Sequence, residues 1–212
     1  MKLYHGSKLI IEEPITKGSG ENNDYGPAFY LTLNIESAHE WACRNNSVGV
    51  VNEYSFDLKN LLVLDLTDKS KYSVLNWVAI LMHFRTPSSS LNNNYKNRLK
   101  FLEDNYYIDI NQYDVVIGYR ADDAYFRFPR DFLNGNITLE QLNKSFELGD
   151  LGIQYALISE KAIKELKYIK CIESNGTYIN SYFENVRRAT EKYNQLDFDE
   201  EGTRIFDIMR KK

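Results

Sequence analysis

Cysteine is scarce: the 212 residues include two, Cys43 and Cys171. Neither has a second Cys or a His at metal-ligand spacing, so no disulfide framework or metal-binding pattern emerges. Both lie in apolar-periodic segments and read as inert, small hydrophobes in a reducing compartment. Proline numbers 4 and glycine 11, too few for a collagen-like or low-complexity chain. Excess positive charge is missing as well. Lys and Arg total 26 against 30 Asp and Glu, a net charge of -4. A protein whose main task is gripping nucleic-acid backbone runs basic, so any such contact here would be local. The small basic clusters (Lys96 with Arg98 and Lys100, Arg187 with Arg188, and Arg210 to Lys212) read as solvated helix faces and a frayed end. Long apolar runs are absent too. The longest, Trp77 to Met82, falls far short of the roughly 20 residues that cross a bilayer. Met1 to Ile11 lacks the apolar stretch of a signal peptide. The expectation is a soluble, cytoplasmic protein with no membrane contact and no metal.

What the chain does have is apolar mass and tyrosine. Hydrophobic residues make up 43% and aromatics 14%, with 16 Tyr. A chain of this length buries a core without staples, and tyrosine suits clefts that hold planar ligands. No internal repeat or Gly/Ser linker divides it. The reading is one domain over residues 1–174 and a helical extension over 175–212.

Periodicity and turn chemistry place the elements. Lys2 to His5, Ala28 to Thr32, Val48 to Asp57, Leu61 to Leu66, Asp114 to Tyr119, Ile153 to Ile158 and Tyr168 to Ile172 read as strands. Asn34 is a helix N-cap, after which Ile35, Ala38, Trp41 and Ala42 share a face. Ser73 to Arg85 and Asn94 to Tyr106 read as helices. Thr138 with Gln141 forms a capping box for a helix to Leu148, and Ser159 caps Glu160 to Leu166. Tyr178 to Leu196 and Arg204 to Met209 form the helical tail. Without a regular βαβ rhythm the class is α+β. No Walker or Rossmann glycine turn is present.

Three histidines can be weighed one by one. His39 and His83 sit within helices and read as structural or surface residues. His5 ends a strand and is followed by Gly6 and Ser7, where a glycine lets a ligand approach the backbone. A second constellation is Tyr25-Gly26-Pro27-Ala28-Phe29-Tyr30-Leu31-Thr32, a glycine loop leading into an aromatic strand. Alternation packs Phe29 and Leu31 inward and leaves Tyr30 on the opposite face, available to a flat ligand.

Together, Leu3-Tyr4-His5-Gly6-Ser7, then Gly26 through Thr32, then the helix with Ala38 and Trp41 resemble the first half of an ADP-ribosyltransferase. The segments Tyr113 to Asp123 and Leu151 to Ile158 resemble later blocks of a bacterial branch, one of uncharacterised domains associated with toxin–antitoxin or phage-defence genes. The resemblance covers roughly residues 1 to 170. It implies a split antiparallel β-sheet flanked by helices and NAD as co-substrate. It further implies transfer of ADP-ribose to a macromolecular acceptor with nicotinamide release, and a small neutralising antitoxin as partner.

The same resemblance assigns roles. His5, Tyr30 and the residue at 154 form the catalytic triad, with Tyr4, Gly6, Ser7, Phe29 and Thr32 in NAD binding. His5 holds a ribose hydroxyl, Gly6 offers backbone groups to the carboxamide, and Tyr30 stacks on the nicotinamide ring with its phenol incidental. The third position, usually Glu, is Gln154 here. Its carbonyl oxygen can accept a hydrogen bond, but it brings no negative charge. Asp122 and Asp123 are candidates for a supplementary acid/base or acceptor-side carboxylate, or simply acids at a helix N-terminus. Arg120, Arg127 and Arg130 could fork onto a pyrophosphate or pair with nearby acids. NAD hydrolysis and a degenerate binding module stand as alternative functions. The tail face with Tyr178, Tyr182, Phe183 and Val186 serves either a partner or the domain's own sheet.

Overall fold

The computed structural model describes residues 1–16, 20–85, 92–121, 126–148, 152–195 and 201–211. Seven strands form one sheet: β1 Lys2–Ser7, β2 Phe29–Thr32, β3 Val50–Ser55, β4 Val63–Asp65, β5 Val115–Tyr119, β6 Ile153–Leu157 and β7 Lys167–Glu173. Their order is β4-β5-β6-β2-β1-β3-β7. Among the described residues there are eight α-helices: α1 Ile35–Cys43, α2 Val74–Arg85, α3 Asn93–Tyr106, α4 Arg127–Asn134, α5 Leu139–Leu148, α6 Glu160–Lys164, α7 Thr177–Asn194 and α8 Ile205–Lys211. The class is α+β, as the irregular alternation of elements indicates.

The sheet is mixed, with one parallel pair among otherwise antiparallel neighbours. β4 and β5 pair in parallel because the chain between them makes a long crossover through α2 and α3, as parallel neighbours require. The other pairs are antiparallel. The sheet is also split. β1 pairs with β3 along its whole length, and β2 pairs with β6 at four positions. β1 and β2 share one register pair, Tyr4 with Thr32.

Strand alternation sorts the apolar residues onto two faces. Phe29, Leu31, Val115, Ile117, Tyr155 and Leu157 join Leu3 and Tyr54 in one core. Val116 and Ala156 turn to the other, larger core around α2. That helix is apolar all round, with Trp77 to Met82 each at most 1% exposed, so it is enclosed on every side. α1 lies directly on β1. A Cβ at Gly6 would meet Ala38 O at 2.0 Å, and one at Gly49 would meet Ser7 O at 2.5 Å and Ala42 O at 2.6 Å.

Local signals set the helix ends. Asn34 Oδ1 accepts from the Glu36 and Ser37 N–H groups at 2.9 and 3.4 Å. Thr138 and Gln141 bond reciprocally, at 2.8 and 3.2 Å. Ser159 Oγ accepts from Ala162 N–H at 3.1 Å. α4 carries no such pattern. It has no side-chain cap, and Pro129 occupies its first turn, where proline is tolerated.

α7 packs on α1 rather than on the sheet. Tyr178 stacks on His39 with ring centroids 4.6 Å apart, and its hydroxyl donates to Glu36 at 2.8 Å. Farther along, Tyr193 stacks on Phe128 at 4.2 Å. Phe206 of α8 covers Gly135, whose left-handed φ of 77° ends α4. Cys43 is buried, whereas Cys171 is partly exposed because β7 is an edge strand.

Candidate active site

The split between β1 and β2 opens into a cleft of about 650 Å³. Tyr4, His5, Gly6 and Ser7 border it from β1, Tyr30 and Thr32 from β2, and Gln154 from β6. α1 adds Trp41, and Tyr182 of α7 reaches the same space.

His5 and Tyr30 reach the cleft from opposite faces. The His5 ring stacks on Phe29 at 4.4 Å, on the side of the smaller core. His5 Nδ1 lies 2.7 Å from the backbone carbonyl oxygen of Tyr30. A carbonyl only accepts, so Nδ1 carries the proton and Nε2 is the acceptor nitrogen of the neutral ring. Burial lowers the His5 pKa from its ordinary value, the Tyr30 carbonyl opposes that shift, and the Arg44 charge reinforces it.

The Tyr30 hydroxyl has defined partners in the turn before its strand. It donates to Gly26 O at 2.7 Å and accepts from Tyr25 N–H at 3.0 Å. Gly26 adopts φ 65°, the left-handed conformation that glycine takes without a Cβ penalty. The phenol thus closes the turn ahead of its own strand. Burial raises its pKa far above the ordinary value. Tyr25 is fully buried and donates to Tyr119 O at 2.9 Å. Its oxygen fills the space beside Gly118, where a Cβ would lie 2.1 Å away.

Gln154 stands in register with Thr32 on one side and Gly118 on the other. Its Nε2 donates to Asp24 Oδ2 at 2.8 Å and to Tyr119 O at 3.2 Å. Asp24 also accepts from Ala121 N–H at 2.7 Å and from Arg85 at 3.0 Å. It is 8% exposed. Burial raises its pKa, while the bonds from Ala121, Arg85 and Gln154 pull it back in part. Asp24 escapes a sequence reading because it lies in a polar glycine loop and its partners Ala121 and Gln154 lie 97 and 130 residues away. Arg85, another cleft residue, ends an apolar helix with no local signal of its role.

The remaining candidates separate. Phe29 is 6% exposed in the smaller core. It supports His5 and does not line the cleft, because alternation turns it away from Tyr30. Gly6 borders the cleft, but its missing Cβ makes room for α1. The Ser7 hydroxyl is engaged by its own turn, donating to Leu9 O and accepting from Asn52 at 3.1 Å. Thr32 Oγ1 accepts from Asn34 N–H at 3.1 Å and thereby helps start α1. Arg120 lies in the cleft, 4.6 Å above the Trp41 ring, and Arg44 lies 3.6 Å from the same ring. Arg127 instead pairs with Asp131 at 3.2 Å and lies over Tyr193, away from the cleft. Arg130 is exposed on α4. Asp122 and Asp123 fall outside the described residues.

Four cationic side chains, Lys8, Arg44, Arg85 and Arg120, line the cleft, with Asp24 as the carboxylate among the described residues. On a chain of net charge -4 this is a local reversal of sign that favours an anionic ligand. No described cluster of His, Cys, Asp and Glu could hold a metal ion, and no described helix is long and apolar enough to cross a membrane.

Neither curated proteins nor solved structures give a match to this chain. Residues 1–168, most of the sheet and both strands of the split, match the family model described as Protein of unknown function (DUF3990), and the chain belongs to that family.

Proposed function

We propose that the cleft binds NAD and that the protein transfers ADP-ribose from it to a macromolecular acceptor, releasing nicotinamide. One observation carries the reading: residues His5, Tyr30 and Gln154, from three different strands, all border a single cleft at the split of the sheet. In the reaction the bond between the ribose C1′ and the nicotinamide nitrogen breaks, and its electron pair neutralises the pyridinium. An acceptor oxygen or nitrogen then attacks C1′ and gives up its proton to solvent or a base. The protein's part is positioning and charge stabilisation. The neutral His5 ring offers Nε2 to a ribose hydroxyl. Gln154, with Nε2 committed to Asp24 and Tyr119, offers Oε1 as a second acceptor. Arg120 and Arg44 beside Trp41 suit the diphosphate.

The resemblance of the His-Gly-Ser and Phe-Tyr-Leu-Thr blocks to ADP-ribosyltransferases supports the same conclusion and suggests a toxin or phage-defence effector, held in check by a small antitoxin protein. The acceptor is protein or nucleic acid. A second enzymatic reading makes water the acceptor and the protein an NAD glycohydrolase, whereas Gln154, an uncharged amide that cannot deprotonate a nucleophile, favours a catalytically degenerate module that works through protein partners. Nicotinamide release from NAD, measured with buffer alone and with cell extract, tests both enzymatic readings. Release that requires extract supports transfer, release in buffer supports hydrolysis, and no release under either condition overturns both.

A further inference from the structure

The cleft holds one carboxylate among its described residues, and it is not at the position where the resemblance looks for an acid. Asp24 Oδ2 and Tyr119 O, both pure acceptors, face the Gln154 amide at 2.8 and 3.2 Å. The two Nε2 hydrogens satisfy both. The flipped amide would set Oε1 against a carboxylate and a carbonyl, which repel it, so the orientation is fixed by chemistry. Oε1 accepts from no described residue, and Gln154 borders the cleft. Asp24 is itself locked by Arg85 at 3.0 Å and Ala121 N–H at 2.7 Å.

We propose that Asp24 is a positioning residue for Gln154, holding the amide with Nε2 inward and Oε1 toward the cleft, and that the pair carries one negative charge, which belongs at position 24. The inference rests on the NAD reading only for its ligand measurement, because the coupling of the two side chains can be read without ligand. A glutamate at 154 would place a second carboxylate at hydrogen-bond distance from Asp24. Two carboxylates so close share one proton. The amide at 154 is therefore the complement of the acid at 24, and Gln154→Glu alone does not restore a catalytic acid.

Three variants and one native-state measurement test this. In thermal melts at about pH 7.5, Asp24→Asn and Gln154→Glu each lower Tm by roughly 5 °C or more, as expected for a broken buried charged network. The exchange variant, Asp24→Asn with Gln154→Glu, melts above Gln154→Glu alone. It does not recover fully, since the amide introduced at position 24 then faces the Ala121 N–H. The deficit of Gln154→Glu shrinks toward pH 5, where the carboxylate pair takes up its proton. Additive deficits that do not respond to pH overturn the proposal. If a variant does not fold, the wild-type protein decides: the Gln154 side-chain amide protons exchange slowly with solvent, and fast exchange overturns the proposal. For the ligand arm, NAD raises the wild-type Tm and raises that of Asp24→Asn far less. An equal NAD shift in both overturns the positioning role. No NAD shift in the wild type defeats the NAD reading and leaves the coupling to be judged by the melts and the exchange rate.

Discussion

His5 donates a hydrogen bond, through Nδ1, to the backbone carbonyl of Tyr30 at 2.7 Å. This bond crosses the sheet at the one place where its two halves barely pair. It spans β1 and β2 beyond the Tyr4–Thr32 pair, fixes the imidazole tautomer and ties the two candidate residues through the backbone.

A pH dependence follows. Burial holds the folded His5 pKa below its ordinary value of 6.5, while the unfolded chain takes up a proton near that value. The contribution of His5 to stability is complete above about pH 6.5 and is lost as pH falls through the lowered folded value. Protonation also converts Nε2 from acceptor to donor. NAD affinity, measured by calorimetry across about pH 5 to 8, is flat above 6.5 and declines on acidification. Affinity that rises on acidification contradicts the tautomer assignment.

Tyr30→Phe keeps the ring and deletes the hydroxyl that bonds Gly26 O and Tyr25 N–H. The two backbone groups lose their partner, at a cost of about 1–3 kcal/mol. Urea unfolding should give that loss with an unchanged m-value. Tyr30→Ala also removes the ring and should abolish NAD binding. A fully stable Tyr30→Phe shows that the hydroxyl does not hold the turn.

Gly6→Ala forces a Cβ against Ala38 O, where the available distance is 2.0 Å. Both sides of the contact are backbone, so α1 must lift from β1, costing about 1–3 kcal/mol or more. Gly20→Ala, with nothing within 4 Å of the added atom, is the matched control and should be near neutral. Comparable melting temperatures for the two variants would mean that α1 does not sit on Gly6.

Arg120→Gln should weaken NAD binding roughly 10-fold or more, the scale of one charge-assisted hydrogen bond. Arg127→Gln should leave it unchanged, because Arg127 serves Asp131 on α4. Equal effects from the two would remove the diphosphate from the Arg120 side of the cleft.

Features encoded by near neighbours were the legible ones. The Asn34 cap, the Thr138–Gln141 box and the Ser159 cap each span three residues or so, and each formed as the sequence indicates. Alternation in Phe29 to Thr32 matched the observed burial, with Phe29 and Leu31 buried and Tyr30 and Thr32 partly exposed. What stayed hidden depends on distant chain segments. Asp24 acquires its meaning from Ala121, Arg85 and Gln154, all brought to it by the fold. Gly6 was legible as a place of close approach, but what approaches is helix backbone. The parallel β4–β5 pair depends on a crossover no local pattern records. α4 was obscured by Pro129 and by the lack of a cap.

The most direct test of the central claim is nicotinamide release by the purified protein, compared with His5→Ala and Tyr30→Ala. The account predicts release by the wild type, in buffer or with cell extract added, and at least a roughly 100-fold loss in each variant, the scale of removing a transition-state contact. Folded variants that release nicotinamide as fast as the wild type would contradict it, as would a wild type that leaves NAD intact under both conditions.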